Sequence, residues 1–205
     1  MADVVQAALE RNDRYLREFV EALNVCPFAQ RSRDEGQLER RVLLGSELDL
    51  QRTLREVNAL LEATDRRIEV ALFLYPELRA DYETFDHFAT SVRTAHELAQ
   101  PEDGFFIVAF HPDAPVDTAS PSRTVSLMRR SPDPTLQLVR RSVIARTKGV
   151  PPDETRWMNP ADLNPEAPLP ERSESLSDRI TNTNFEMVRR VGLERVVALL
   201  HSMRA

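Results

Sequence analysis

The stretch Ile68-Glu69-Val70-Ala71-Leu72-Phe73-Leu74-Tyr75, closed by Pro76, decides how the chain is read. Glu69 is its only charged residue. A short apolar run with branched and aromatic side chains that stops at a proline reads as a buried strand. Upstream of it, Leu50, Leu54, Val57, Leu60 and Leu61 recur at helical spacing and predict a helix over about 47–63. Arg40–Leu44, further upstream, reads as a strand. Downstream, Phe85, Phe88, Ala89, Val92, His96 and Ala99 predict a helix over 81–99, and FFIVAF (105–110) a third strand. Residues 40–110 therefore read β-α-β-α-β. Helix-length crossovers favour parallel neighbours. The expected fold is α/β, a small, mainly parallel sheet of three to four strands packed with helices.

Helices are expected at both ends as well. Val5, Leu9, Leu16, Phe19, Val20 and Leu23 mark an amphipathic helix that should stop near Asn24, because Pro27 disfavours helical backbone at Cys26. Pro27 is suited to open a short helix through Arg33, which Gly36 ends. After His111 the stretch HPDAPVDTASPSR reads as a loop. Asp133-Pro134 reads as an N-cap and a first helical position, with Leu136, Val139, Val143 and Ile144 carrying the helix to Gly149. Six of the 14 prolines fall in 151–170, an expected linker or wrapping arm. Ile180, Phe185, Val188 and Val191 begin a last helix that Gly192 bends. The expected organisation is one domain over 1–150, the arm over 151–175, and a C-terminal helix in 176–205 that packs back on the domain.

The 205 residues carry a net charge of −6, with 41% hydrophobic and 29% charged residues, as an ordinary globular chain does. A single cysteine excludes an internal disulfide and a Cys-rich zinc or iron–sulfur site. The N-terminus has no apolar h-region, and no apolar run approaches the ~18 residues that span a bilayer. A soluble, cytoplasmic, bacterial-type protein with a reduced Cys26 is expected. Residues 121–150 hold seven basic residues against Asp133 alone, a local charge of +6. Of the 27 basic residues 26 are arginine, which fits an anionic ligand and fits GC-rich codon usage equally well.

Three places could carry chemistry. Cys26 is the first: at a helix N-cap, with Arg31 and Arg33 near, its thiol would be acidified into a nucleophile. The plainer reading is a small buried residue in a tight turn, and a third reading makes it a haem or metal ligand. His111 follows the third strand directly, where open α/β sheets bind ligands, and could act as acid or base. Arg130-Ser131, before the expected helix at Asp133, would form an anion site. No pair of histidines has metal-ligand spacing, so no metal site is assigned. Five glycines with no cluster of them argue against a phosphate-cradling loop.

These residues also carry a resemblance. Leu23-Asn24-Val25-Cys26-Pro27-Phe28-Ala29 resembles the signature of the bacterial family catalogued as domain of unknown function 1415. Phe110-His111-Pro112-Asp113 and Arg130-Ser131-Pro132-Asp133-Pro134-Thr135-Leu136 agree in order and spacing, and Asn184-Phe185 to Gly192 matches more loosely. The resemblance implies a site and no particular reaction. This chain departs from the family's pattern at Ala114, Asp133 and Gln137, where the family tends to have an aromatic residue, a tyrosine and a histidine.

The function expected is that of a small-molecule enzyme or binder. Cys26 and His111 are its candidate catalytic residues, and Asn24, Asp113, Arg130 and Ser131 its candidate ligand contacts. The ligand expected is anionic or carbonyl-bearing, and no cofactor is identified. The other readings are an interaction module using the proline arm and the basic segment 121–150, and a haem or metal binder through Cys26. The acidic total and the lack of basic–aromatic interleaving argue against a nucleic-acid partner.

Overall fold

Alternation along the strands sets the architecture. In a computed structural model that describes residues 2–26, 29–62, 68–101, 104–147 and 176–204, the strands are β1 (Leu38–Val42), β2 (Val70–Leu74), β3 (Phe105–Phe110) and β4 (Thr135–Arg140). The helices are α1 (Ala2–Arg14), α2 (Ala29–Asp34), α3 (Leu50–Glu62), α4 (Tyr82–Ala99), α5 (Pro121–Met128), α6 (Arg141–Thr147), α7 (Leu176–Val191) and α8 (Leu193–Ser202). A π-helix over Tyr15–Glu21 continues α1. The arm expected at 151–175 lies outside the described residues. Among these residues no helix is long and apolar enough to cross a membrane.

The β-α-β-α-β reading of 40–110 places its three strands within two residues and gives all three one direction. The sheet is nevertheless mixed, not mainly parallel. Its order is β1-β2-β4-β3, and only β1 and β2 pair in parallel. β4 lies between β2 and β3 and is antiparallel to both.

β4 corrects the helix expected from Asp133 to Gly149. Leu136, Val139, Val143 and Ile144 fit a helical period, but Leu136, Leu138 and Arg140 equally fit a strand period of two. Long-range pairing decides between them, because β2 and β3 each present an open edge that β4 satisfies. Helix begins only at Arg141. At that junction Arg140 is 8% exposed, donates to the Ile68 carbonyl at 2.6 Å and lies over the Phe105 ring. α5 falls in a stretch assigned no helix from sequence, although Ser120 caps it and Pro121 takes the first turn. Gly192, at φ 95°, separates α7 from α8 at the expected bend.

Two cores result, one on each face of the sheet. Ala71, Phe73, Ile107, Ala109, Leu136 and Leu138 pack against α3 and α4 through Val57, Leu60, Phe85, Phe88 and Val92. Leu72 and Leu74 point the other way, toward the π-helix, α5, α7 and α8.

Candidate functional site

On that second face lies a cavity of about 340 Å³, within the range of small-molecule sites. Its floor follows the strand register. Leu38, Val70, Val139 and Phe106 align across the four strands, Leu72, Gln137 and Val108 form the next row, and Thr135 and Phe110 end it. Tyr15, Leu16 and Val20 of the π-helix, Val25, Cys26, Val125, Met128, Ile180 and Asn184 form the walls. Asn12, Ser32, Arg129 and Ser131 also line it.

Cys26 reaches this cavity through a strained turn. The π-helix widens the end of α1, a distortion often found at functional sites. Asn24 then takes φ 53°, a left-handed conformation that asparagine tolerates better than most residues. The Val25 N–H donates to the Val20 carbonyl at 2.8 Å, and Asn184 Nδ2 donates to the Val25 carbonyl at 3.3 Å. Asn24 thus shapes the turn, and Asn184, 159 residues away, secures it. Cys26 is half-buried, and its carbonyl accepts the Ala29 N–H at 3.3 Å. Pro27, expected to open the next helix, lies outside the described residues. The Tyr15 phenol beside the cavity is pushed above its ordinary pKa by burial, and further by Cys26.

His111 is placed differently. It is 3% exposed and packs against Tyr82 and Phe85 of α4. Its Nδ1 accepts the Asp113 N–H at 3.1 Å, and its Nε2 lies 3.1 Å from the Ala80 carbonyl. With Nδ1 accepting, Nε2 carries the proton, so the ring is neutral with both nitrogens bound to backbone. Burial lowers its pKa, while the Ala80 carbonyl and Asp113 act the other way. His111 is not among the residues that line the cavity.

The Arg130-Ser131 block precedes a strand, so the expected helix N-terminus and its free N–H groups are absent there. Asp133 does not cap a helix. Its carboxylate takes a bidentate pair from Arg11, at 2.9 and 3.1 Å. Its carbonyl accepts the Ser131 and Thr135 hydroxyls at 2.7 and 2.8 Å. Arg130 turns toward the His111 loop and donates to the Pro112 carbonyl at 2.8 Å. Arg204 reaches the same carbonyl and lies 2.9 Å from Asp113. The candidate residues therefore divide into two groups. Cys26 and Ser131 meet at the cavity, with Asn24 at its turn, while His111, Asp113 and Arg130 gather at the end of β3.

Sequence reasoning missed Asn12 and Ser32. Asn12 is 3% exposed and Ser32 fully buried, and among the described residues Asn12 Oδ1 and Ser32 Oγ have no hydrogen-bond partner. Leaving such an atom unpaired costs about 1–3 kcal/mol. The signal for Asn12 was legible, since it occupies the apolar stripe that runs Val5, Leu9, Leu16, Phe19. Gln137, noted only as a departure from a family pattern, stands at the middle of the floor. Ala114, another departure, is buried and donates its N–H to the His111 carbonyl.

Among the described residues no group of three or more His, Cys, Asp or Glu could hold a metal ion. No curated protein and no solved structure matches the chain. A family model described as "Protein of unknown function (DUF1415)" matches residues 7–158, a span that includes the π-helix, Cys26, all four strands and the His111 loop, and the chain belongs to that family.

Proposed function

We propose that the protein is a small-molecule enzyme or binding protein whose ligand occupies the cavity beside Cys26. The observation that carries this reading is the composition of the cavity: a largely apolar enclosure lined by one thiol and a few neutral polar groups. The ligand is carbonyl-bearing, and the Cys26 sulfur is the nucleophile toward it. In that step the S–C bond forms, the carbonyl π pair moves to oxygen, and the thiol proton ends on that oxygen. No further reagent is consumed. His111 takes no part in this step, because both of its ring nitrogens are held by backbone. Asn24 and Asn184 hold the turn that presents the thiol, and Ser131 contributes to the wall.

With one cysteine in the chain, alkylation by iodoacetamide reports on Cys26 alone. We expect native protein to be alkylated near neutral pH, and a molecule filling the cavity to slow the reaction. A thiol that reacts only after unfolding in urea would overturn its role as nucleophile.

A further inference from the structure

The polar atoms of the cavity specify the ligand more closely, on the reading that this cavity is the site. Asn12 Oδ1 and Ser32 Oγ are buried and have no partner among the described residues, and both residues line the cavity. Asn12 is well fixed. Its neighbour Arg11 pairs with Asp133 before β4, and its other neighbour Asp13 pairs with Arg40 of β1. Gln137 lies opposite Leu72 and Val108 in the register. Its side chain lines the cavity at a half-buried position.

These three side chains share one chemistry. Each is uncharged, and each both donates and accepts. An amide oxygen without a partner calls for a donor, which a carboxylate or phosphate group does not have. Among the described residues the lining holds no carboxylate, and its one cationic side chain is Arg129. The surrounding walls and floor are apolar, with aromatic rings at Tyr15, Phe106 and Phe110.

We propose that the cavity recognises an uncharged, planar, largely apolar molecule with an amide-type edge, an N–H beside a C=O. Asn12 is the anchor: its oxygen accepts from the N–H and its NH₂ donates to the C=O. Ser32 and Gln137 supply the remaining polar contacts. The anionic ligand was expected at Arg130, which donates to the Pro112 carbonyl and does not line this cavity.

Three bicyclic probes of similar shape test this by calorimetry on the full chain. 2-Quinolone carries the complete edge, 1-methyl-2-quinolone lacks the donor, and 2-naphthoate is an anion. We expect 2-quinolone to bind at least about 10-fold more tightly than the other two, and to slow Cys26 alkylation. The Asn12→Leu variant should reduce its affinity to that of the methylated probe. Gln137→Met, at a half-buried position, should weaken it by a smaller factor and serves if Asn12→Leu does not fold. Equal or tighter binding of 2-naphthoate, or affinity unchanged in both variants, overturns the amide-edge proposal and leaves the cavity reading standing. If no probe binds and none changes Cys26 alkylation, both fail.

Discussion

The two faces of the sheet are made from alternate residues of the same strands, yet they are finished differently. Toward α3 and α4, Ala71, Phe73, Ile107, Leu136 and Leu138 are buried in an apolar core. Toward the π-helix, β4 presents Thr135 and Gln137, β3 presents a Phe106 that is 43% exposed, and the covering helix brings in Asn12. The first face is packed as interiors usually are, with apolar side chains touching on all sides. The second face keeps space and sets polar side chains around it. One sheet thus separates the part of the molecule that supplies stability from the part that forgoes some of it for a cavity.

The largest test of this contrast is truncation on each face. Phe73→Ala should cost about 3–5 kcal/mol in urea unfolding, because a fully buried ring is lost from the packed face. Val108→Ala, on the cavity floor, should cost about 1 kcal/mol or less. Similar costs would break the contrast. Next comes the tie between α1 and β4. Arg11→Met leaves the mostly buried Asp133 carboxylate without its bidentate partner, and should cost about 1.5–3 kcal/mol. A neutral result would show that this pair does not hold α1 over the cavity.

A smaller effect of opposite sign is expected at Asn12. Asn12→Leu keeps the branched shape, removes an unpaired acceptor and raises helix propensity, and the cavity beside it leaves room for the larger side chain. It should stabilise the fold by about 1 kcal/mol while 2-quinolone binding is lost. Destabilisation instead would mean that Asn12 is a structural residue.

The histidines of the closed side give the mildest test, by pH. His96, 1% exposed, accepts the Phe105 N–H on Nε2 at 2.8 Å, and burial first, then Arg141, lowers its pKa. His111 is likewise lowered by burial. The unfolded chain takes up protons as pH falls through about 6.5, where the folded chain does not. Stability should be complete above that value and decline as pH falls below it. A flat profile from pH 8 to 5 would contradict neutral, buried imidazoles.

Much of the closed face was legible in the sequence. The runs at 68–75 and 105–110 and the stripes of α3 and α4 have one reading each, because composition and period agree there. β4 had two, since six residues with Leu136, Leu138 and Val139 suit either period, and its partners lie far off in sequence. The site suffered from the same ambiguity. With Thr135 to Arg140 read as helix, Gln137 had no reason to face a cavity. Cys26 and Ser131, which both line the cavity, were singled out through their prolines and neighbouring arginines. Asn12 was overlooked because an apolar stripe with one polar member still reads as core.

The late position of β4 in the chain also bears on how the protein is made. Among the described residues β3 has no sheet partner but β4, and the Val70–Val139 pairing closes a loop of 68 intervening residues. During synthesis β1 and β2 can pair as soon as both emerge, while β3 must wait for β4 to leave the ribosome and enter between β2 and β3. Such long-range pairing is the slow part of folding. The floor of the cavity is therefore incomplete in every nascent chain that ends before residue 135, and its α7 wall comes later still.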